Sequence, residues 1–208
     1  MSRTLCIGLI AAFTGVGHAD TIFTTGTPDP GFMGYYGFDL FPDQSVAIAL
    51  TPDQDYRLDG VSLWMMSNDF LNPGATYTVS LRTDAADAMT VPGDAVIESW
   101  SVSTGAVGWQ PVLDSMASLL NPTLSAGVTY WIVAESDEPA LFNPVWVASQ
   151  QAEPVWHSIQ NAMNPDGAWI SGWGQGVPGM VISGVVIPAP GAGVMLALGL
   201  GAALRRRR

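Results

Sequence analysis

The chain of 208 residues sets eighteen acidic residues against seven arginines and no lysine, a formal net charge of −11, and 48% of it is hydrophobic. Charge of this sign repels nucleic-acid phosphates and anionic headgroups, so nucleic acid is set aside as a partner. A single cysteine, Cys6, excludes an intramolecular disulfide and a multi-thiolate metal site.

The N-terminus has the layout of a secretory signal: Arg3 gives a positive start, Leu5 to Phe13 an apolar helical stretch, and Gly17-His18-Ala19 a small-x-small site. Residues 1–19 are predicted to be a signal peptide delivered to the secretion translocon and cut between Ala19 and Asp20. A retained N-terminal anchor is the alternative, opposed by the short apolar stretch and by Gly15 and Gly17 after it. Too little apolar sequence precedes Cys6 for a lipoprotein cysteine, and cleavage removes it. From Asp20 to Ile187, about 168 residues keep all eighteen acids but only Arg57 and Arg82, a formal charge of −16. That length suits one domain with one core, domain 20–187.

Within it the hydrophobic period is two, which predicts strands. Candidates in chain order are Ser45 to Leu50, Arg57 to Met66, Thr76 to Thr83, Val96 to Val102, Trp109 to Leu113, Val128 to Ala134, Val145 to Ser149, Val155 to Gln160 and Met180 to Val186. Val128 to Ala134 is apolar on both faces, which predicts a central strand. Asp114 to Leu120 is expected to form a short helical turn. Turns are expected at Asn72 to Gly74, Val91 to Asp94, Ser125 to Gly127 and Asn164 to Gly167. Strands about every ten residues predict an all-β, two-sheet antiparallel β-sandwich.

Catalytic chemistry is hard to assemble. His157 stands beside Ser158 on a predicted strand, where neighbours point to opposite faces, and no Gly-x-Ser-x-Gly elbow accompanies them. Glu98 and Glu135 are the strand-borne carboxylates that a glycoside hydrolase would need to pair across a cleft. Calcium is the one metal weighed, on the loop acids Asp53 and Asp55 or Asp84 and Asp87, but two carboxylates in a loop are better read as solvated acids. No metal or cofactor is therefore expected, and no enzymatic activity. All eight tryptophans lie after the signal. Trp64, Trp100 and Trp131 fit strand patterns and are predicted core. Trp169 and Trp173, in a glycine-rich stretch that reads as an aromatic loop, are the two candidates for stacking on an extracellular polysaccharide, with packing against the domain the favoured reading of both.

The last residues complete the organisation. Val185 to Leu204 holds no ionisable residue and is about long enough, as helix, to cross the ~30 Å hydrocarbon core. Arg205, Arg206, Arg207 and Arg208 would stop on the cytoplasmic side and leave the preceding domain outside. Pro188 and Pro190 shorten the unbroken helix, which favours transient membrane insertion and removal over an ordinary permanent anchor. Segment 188–208 is thus predicted to be a tail for sorting.

Pro188-Ala189-Pro190-Gly191, the apolar run and the arginine cluster resemble the PEP-CTERM sorting signal of Gram-negative bacteria. Ala189 stands where that family usually has glutamate, as in a known variant of the tail. The resemblance implies processing by an exosortase-type transpeptidase and a place on the cell surface or in the extracellular matrix. Gln44 to Pro52, Tyr56 to Leu63, Tyr77 to Asp84 and Leu124-Ser-Ala-Gly-Val-Thr-Tyr-Trp131 resemble the choice-of-anchor bacterial surface domains, the R type most closely. That likeness implies a jelly-roll-like domain without an assigned activity.

Overall fold

A computed structural model describes residues 19–85, 91–150, 157–161, 168–171 and 176–188, and of His157, Asn161 and Ser171 the backbone only. The predicted signal helix lies outside these residues, as does the predicted membrane span apart from its first residues, of which Val185 and Val186 close a strand instead. Among the described residues there is no helix, and so none long and apolar enough to cross a membrane. Fourteen strands appear instead. They are β1 (Asp20–Thr24), β2 (Gly37–Asp39), β3 (Gln44–Leu50), β4 (Tyr56–Ser67), β5 (Thr76–Asp84), β6 (Pro92–Ser103) and β7 (Val112–Ala117). The series continues with β8 (Thr123–Leu124), β9 (Tyr130–Glu135), β10 (Pro144–Ser149), β11 (His157–Asn161), β12 (Trp169–Ser171), β13 (Val177–Pro178) and β14 (Met180–Val186).

All pairings between these strands are antiparallel and form two sheets. One runs β12-β11-β3-β9-β5-β6; the other runs β1-β14-β4-β10-β13, with β2 on β10 and with β7 and β8 on β4. The long strand β4 organises the second sheet: β14 and then β10 follow one of its edges, β8 and then β7 the other. Side chains alternate along a strand, so each sheet sends one row into a shared core. Val46, Ile48, Val79, Leu81 and Ile132 come from the first sheet; Leu58, Val61, Leu63, Trp146 and Ile182 come from the second. The core-facing row of β4 changes parity between Leu58 and Val61, because Asp59 is an extra residue opposite the Ser183–Gly184 step of β14. At Gly60 a side chain would lie 2.8 Å from the Met116 carbonyl oxygen, and glycine admits that approach. As its two apolar faces predict, β9 is central: Tyr130 and Ile132 enter the shared core, while Trp131 and Val133 are buried on the sheet's opposite face with Ala47 and Ala49.

Three local expectations are corrected. Asp114 to Leu120 contains no helical turn: β7 runs to Ala117 along an edge of β4, and cross-strand pairing overrides the helix-like spacing of Met116, Leu119 and Leu120. The strand expected from Trp109 begins instead at Val112, because Gly108 at φ +57° turns the chain there. Val91 to Asp94 is not a turn but the start of β6. That strand is a sheet edge, where Pro92 sacrifices no ladder bond.

Candidate functional site

The predicted processing sites flank the strand system. β1 starts at Asp20, opposite Gly184 on β14, so the first and last strands lie side by side. Ala19, Asp20, Ile187 and Pro188 are exposed. Ala189, Pro190, Gly191 and Arg205 to Arg208 lie outside the described residues, as does Trp173.

Trp169 departs from the expected exposed loop: it opens strand β12, where Ile170 pairs with Ile159, and its ring is half-buried against Ala47, Ala49, Trp131 and Val133. The physical reason is the sheet's opposite face, which is apolar and needs cover. The remaining surface of Trp169 lines an open hollow of about 460 Å³ with Asp84 and Asp94.

The carboxylates considered for hydrolysis are each engaged in holding the fold. Glu98, buried on β6, accepts from the Ser118 hydroxyl at 2.6 Å and from the Leu119 and Leu120 amides at 2.7 and 3.2 Å. Glu135, on β9, takes the Arg82 guanidinium at 2.6 Å. Ser158 is fully buried on β11 and its hydroxyl has no partner, whereas the His157 side chain lies outside the description. Of the acids weighed for calcium, Asp53 accepts from Tyr56, Asp55 from the Ala126 amide and Asp84 from the Trp131 indole, and Asp87 lies outside the described residues. Among the described residues no three His, Cys, Asp or Glu side chains converge.

A different constellation gathers on the outward face of the β4–β10 pair. Met66 and Val145 floor a cleft of about 590 Å³, Tyr35 and Tyr36 flank it, and Trp109, Asp39 and Asn68 complete it. Its loops are fixed by their own bonds. The Asp29 amide donates to the Ala148 carbonyl and the Ala148 amide to the Tyr36 carbonyl, at 2.9 Å each, closing residues 29–36 onto β10. The Ser67 amide donates to the Gly108 carbonyl, and the Gly108 amide to the Asp69 carbonyl, which clamps the Trp109 loop to the end of β4. Trp109 Nε1 donates to Asn68 Oδ1 at 2.9 Å. Asn68 Nδ2 donates to Asp39 Oδ1 at 2.7 Å and to Asn143 Oδ1 at 3.0 Å, and Asn143 Nδ2 donates back to Asp39 Oδ1. Asn143 is fully buried, so this polar net is anchored from beneath. Beside Trp109, the Asp69 carboxylate caps the Leu71 and Asn72 amides, and those two bonds hold it below the usual carboxylate range. Burial, with Asp29 close by, raises the Tyr36 phenol.

No protein-family model matches the chain, and no curated protein matches it. Function therefore rests on this geometry and on the sequence. Sequence reasoning missed the cleft because its residues come from four separate segments. One signal was available: Gly31-Phe-Met-Gly-Tyr-Tyr-Gly37 is dense in glycine and aromatic rings, a composition suited to a shaped loop rather than to a strand. The cleft offers aromatic surface, a carboxylate and a carboxamide held in place, and no basic group. That combination of an aromatic wall and oriented polar groups is of the kind that lines small-molecule sites.

Proposed function

We propose that this protein is an exported, non-enzymatic domain of the cell surface or extracellular matrix, a jelly-roll-like β-sandwich placed there by a removable N-terminal signal and an exosortase-type reading of its tail. One observation carries the reading. Asp20 pairs with Gly184 at the sheet edge, so trimming before Asp20 and near Pro188 leaves every described strand and every described core residue in place. Asp20 and Gly184 lie opposite each other on β1 and β14, so the two proposed processing points fall at one end of that strand pair. The −16 charge between the two cleavage points keeps such a domain soluble outside the cell and away from anionic lipid.

Intact mass of the protein recovered from outside its own cells tests the proposal. A species running from Asp20 to near Pro188, without Arg205 to Arg208, is the expected result. A chain that keeps its whole tail in the membrane fraction overturns the sorting reading and leaves a tethered domain.

A further inference from the structure

We propose that the cleft between the 29–36 loop and Trp109 is a binding site for a neutral saccharide chain, with Trp109 as the stacking surface and Asp39 as the hydroxyl acceptor. The site stands whether or not the tail is cleaved, because it lies within the strand system. It also differs in place from the tryptophans that sequence suggested. Trp169 spends much of its ring on packing, whereas Trp109 remains 52% exposed with its plane already set.

Fixed orientation is the first argument. The Trp109 ring is held by its indole bond to Asn68 and by the Phe70 ring, 5.7 Å away between centroids and tilted by 59°. Phe70 in turn lies against Gly108, where a Cβ would fall 2.8 Å from its ring. A side chain ordered before binding loses little entropy on binding, which turns more of its contact into affinity. The face of an indole is electron-rich and apolar, and it suits the C–H face of a pyranose ring.

Polar placement is the second argument. Asp39 Oδ1 is occupied by both asparagine amides, but Oδ2 accepts no hydrogen bond among the described residues. A carboxylate oxygen that is half-buried, oriented and unpaired is a strong acceptor for a hydroxyl. Sugars supply hydroxyl donors and an apolar face on one ring, and the cleft offers an acceptor and an aromatic wall. Anionic ligands are opposed by Asp39 itself and by the absence of any basic residue among those lining the cleft. A lipid tail would leave Asp39 Oδ2 dry and without a donor. The volume of about 590 Å³ is in the range of small-molecule sites, and the cleft is open at the surface, so a chain can pass through it.

The test is calorimetric titration of the full chain, held in a polyoxyethylene detergent, with cellohexaose, laminarihexaose and maltohexaose, and with tetramethylammonium chloride as the cationic comparison. At least one hexasaccharide should bind. Trp109→Ala and Asp39→Asn should each weaken that binding about tenfold or more, while Trp169→Ala leaves it unchanged. Asp39→Asn keeps shape and size, so it decides the matter if Trp109→Ala fails to fold. The proposal is overturned if none of the three sugars binds, if only tetramethylammonium binds, or if Trp169→Ala abolishes binding that Trp109→Ala and Asp39→Asn leave intact.

Discussion

The Tyr77 hydroxyl on β5 donates to Asp114 Oδ2 on β7 at 2.9 Å, a side-chain bond that joins the two sheets. Burial is the larger cause, and the negative charge of Asp114 the second, that push the Tyr77 phenol far above its ordinary value. Folded Tyr77 therefore holds its proton more tightly than unfolded Tyr77 does. The resulting stability is fully present below the unfolded value of about 10 and is lost as pH rises above it. Tyr77→Phe should cost about 1.5–3 kcal/mol at neutral pH, the worth of a hydrogen bond to a charged group, and should flatten the alkaline fall. Urea melts at neutral pH and at pH values above 10 measure both. Identical alkaline slopes for the two proteins would sink the assignment.

Glu98 reads from sequence as a catalytic candidate and from structure as a clamp. Its carboxylate gathers the Ser118 hydroxyl with the Leu119 and Leu120 amides where the chain leaves β7. Glu98→Gln keeps the size but replaces one acceptor oxygen with a donor group. A loss of about 1–2 kcal/mol in denaturant unfolding is expected. An unchanged midpoint would mean that water serves those donors equally well.

Two glycines of the cleft loop should respond very differently to alanine. At Gly37 a Cβ would overlap the Trp146 carbonyl and lie 2.9 Å from Val147 Cα, all of it backbone on β10 that cannot step aside. Gly37→Ala should cost on the order of 3 kcal/mol and detach β2. Gly34 has φ +108° and nothing within 4 Å of a Cβ, so Gly34→Ala meets conformational strain alone, about 1–2 kcal/mol. Thermal melts of the pair should rank Gly37→Ala well below Gly34→Ala, and the reverse order would refute the packing account.

What sequence revealed and what it hid divide along one physical line. Alternation is local, so β3, β5, β9 and β14 could be read from six to eight residues each, and the two buried faces of β9 announced its central place. Edge positions are not local. Pro92 and Gly93 carry a turn signature, but among the described residues β6 borders only β5, and an edge tolerates a proline that a central strand would not. The helical turn expected over Asp114 to Leu120 does not form, and nothing within that stretch shows that Glu98, about twenty residues earlier, takes the Leu119 and Leu120 amides. The cleft was hidden for the same reason: Tyr35, Asp39, Asn68 and Trp109 meet only because β2 docks on β10 beside the end of β4.

Asp84 serves a buried indole. Paired in sequence with Asp87 it suggested a cation ligand, yet its Oδ1 accepts from the indole of Trp131 at 2.7 Å, and that indole is fully buried on the side of β9 turned away from the shared core. A buried N–H without a partner is costly, so the carboxylate is what allows a tryptophan at this position. Asp84→Asn keeps an acceptor oxygen and should cost about 1 kcal/mol, whereas Asp84→Leu strands the indole N–H and should cost about 2–3 kcal/mol. Trp131→Phe removes the donor together with the need for Asp84, so adding Asp84→Leu to Trp131→Phe should cost less than Asp84→Leu does alone. A double-mutant cycle on urea midpoints measures that coupling, and strict additivity would show that the bond contributes nothing to the fold.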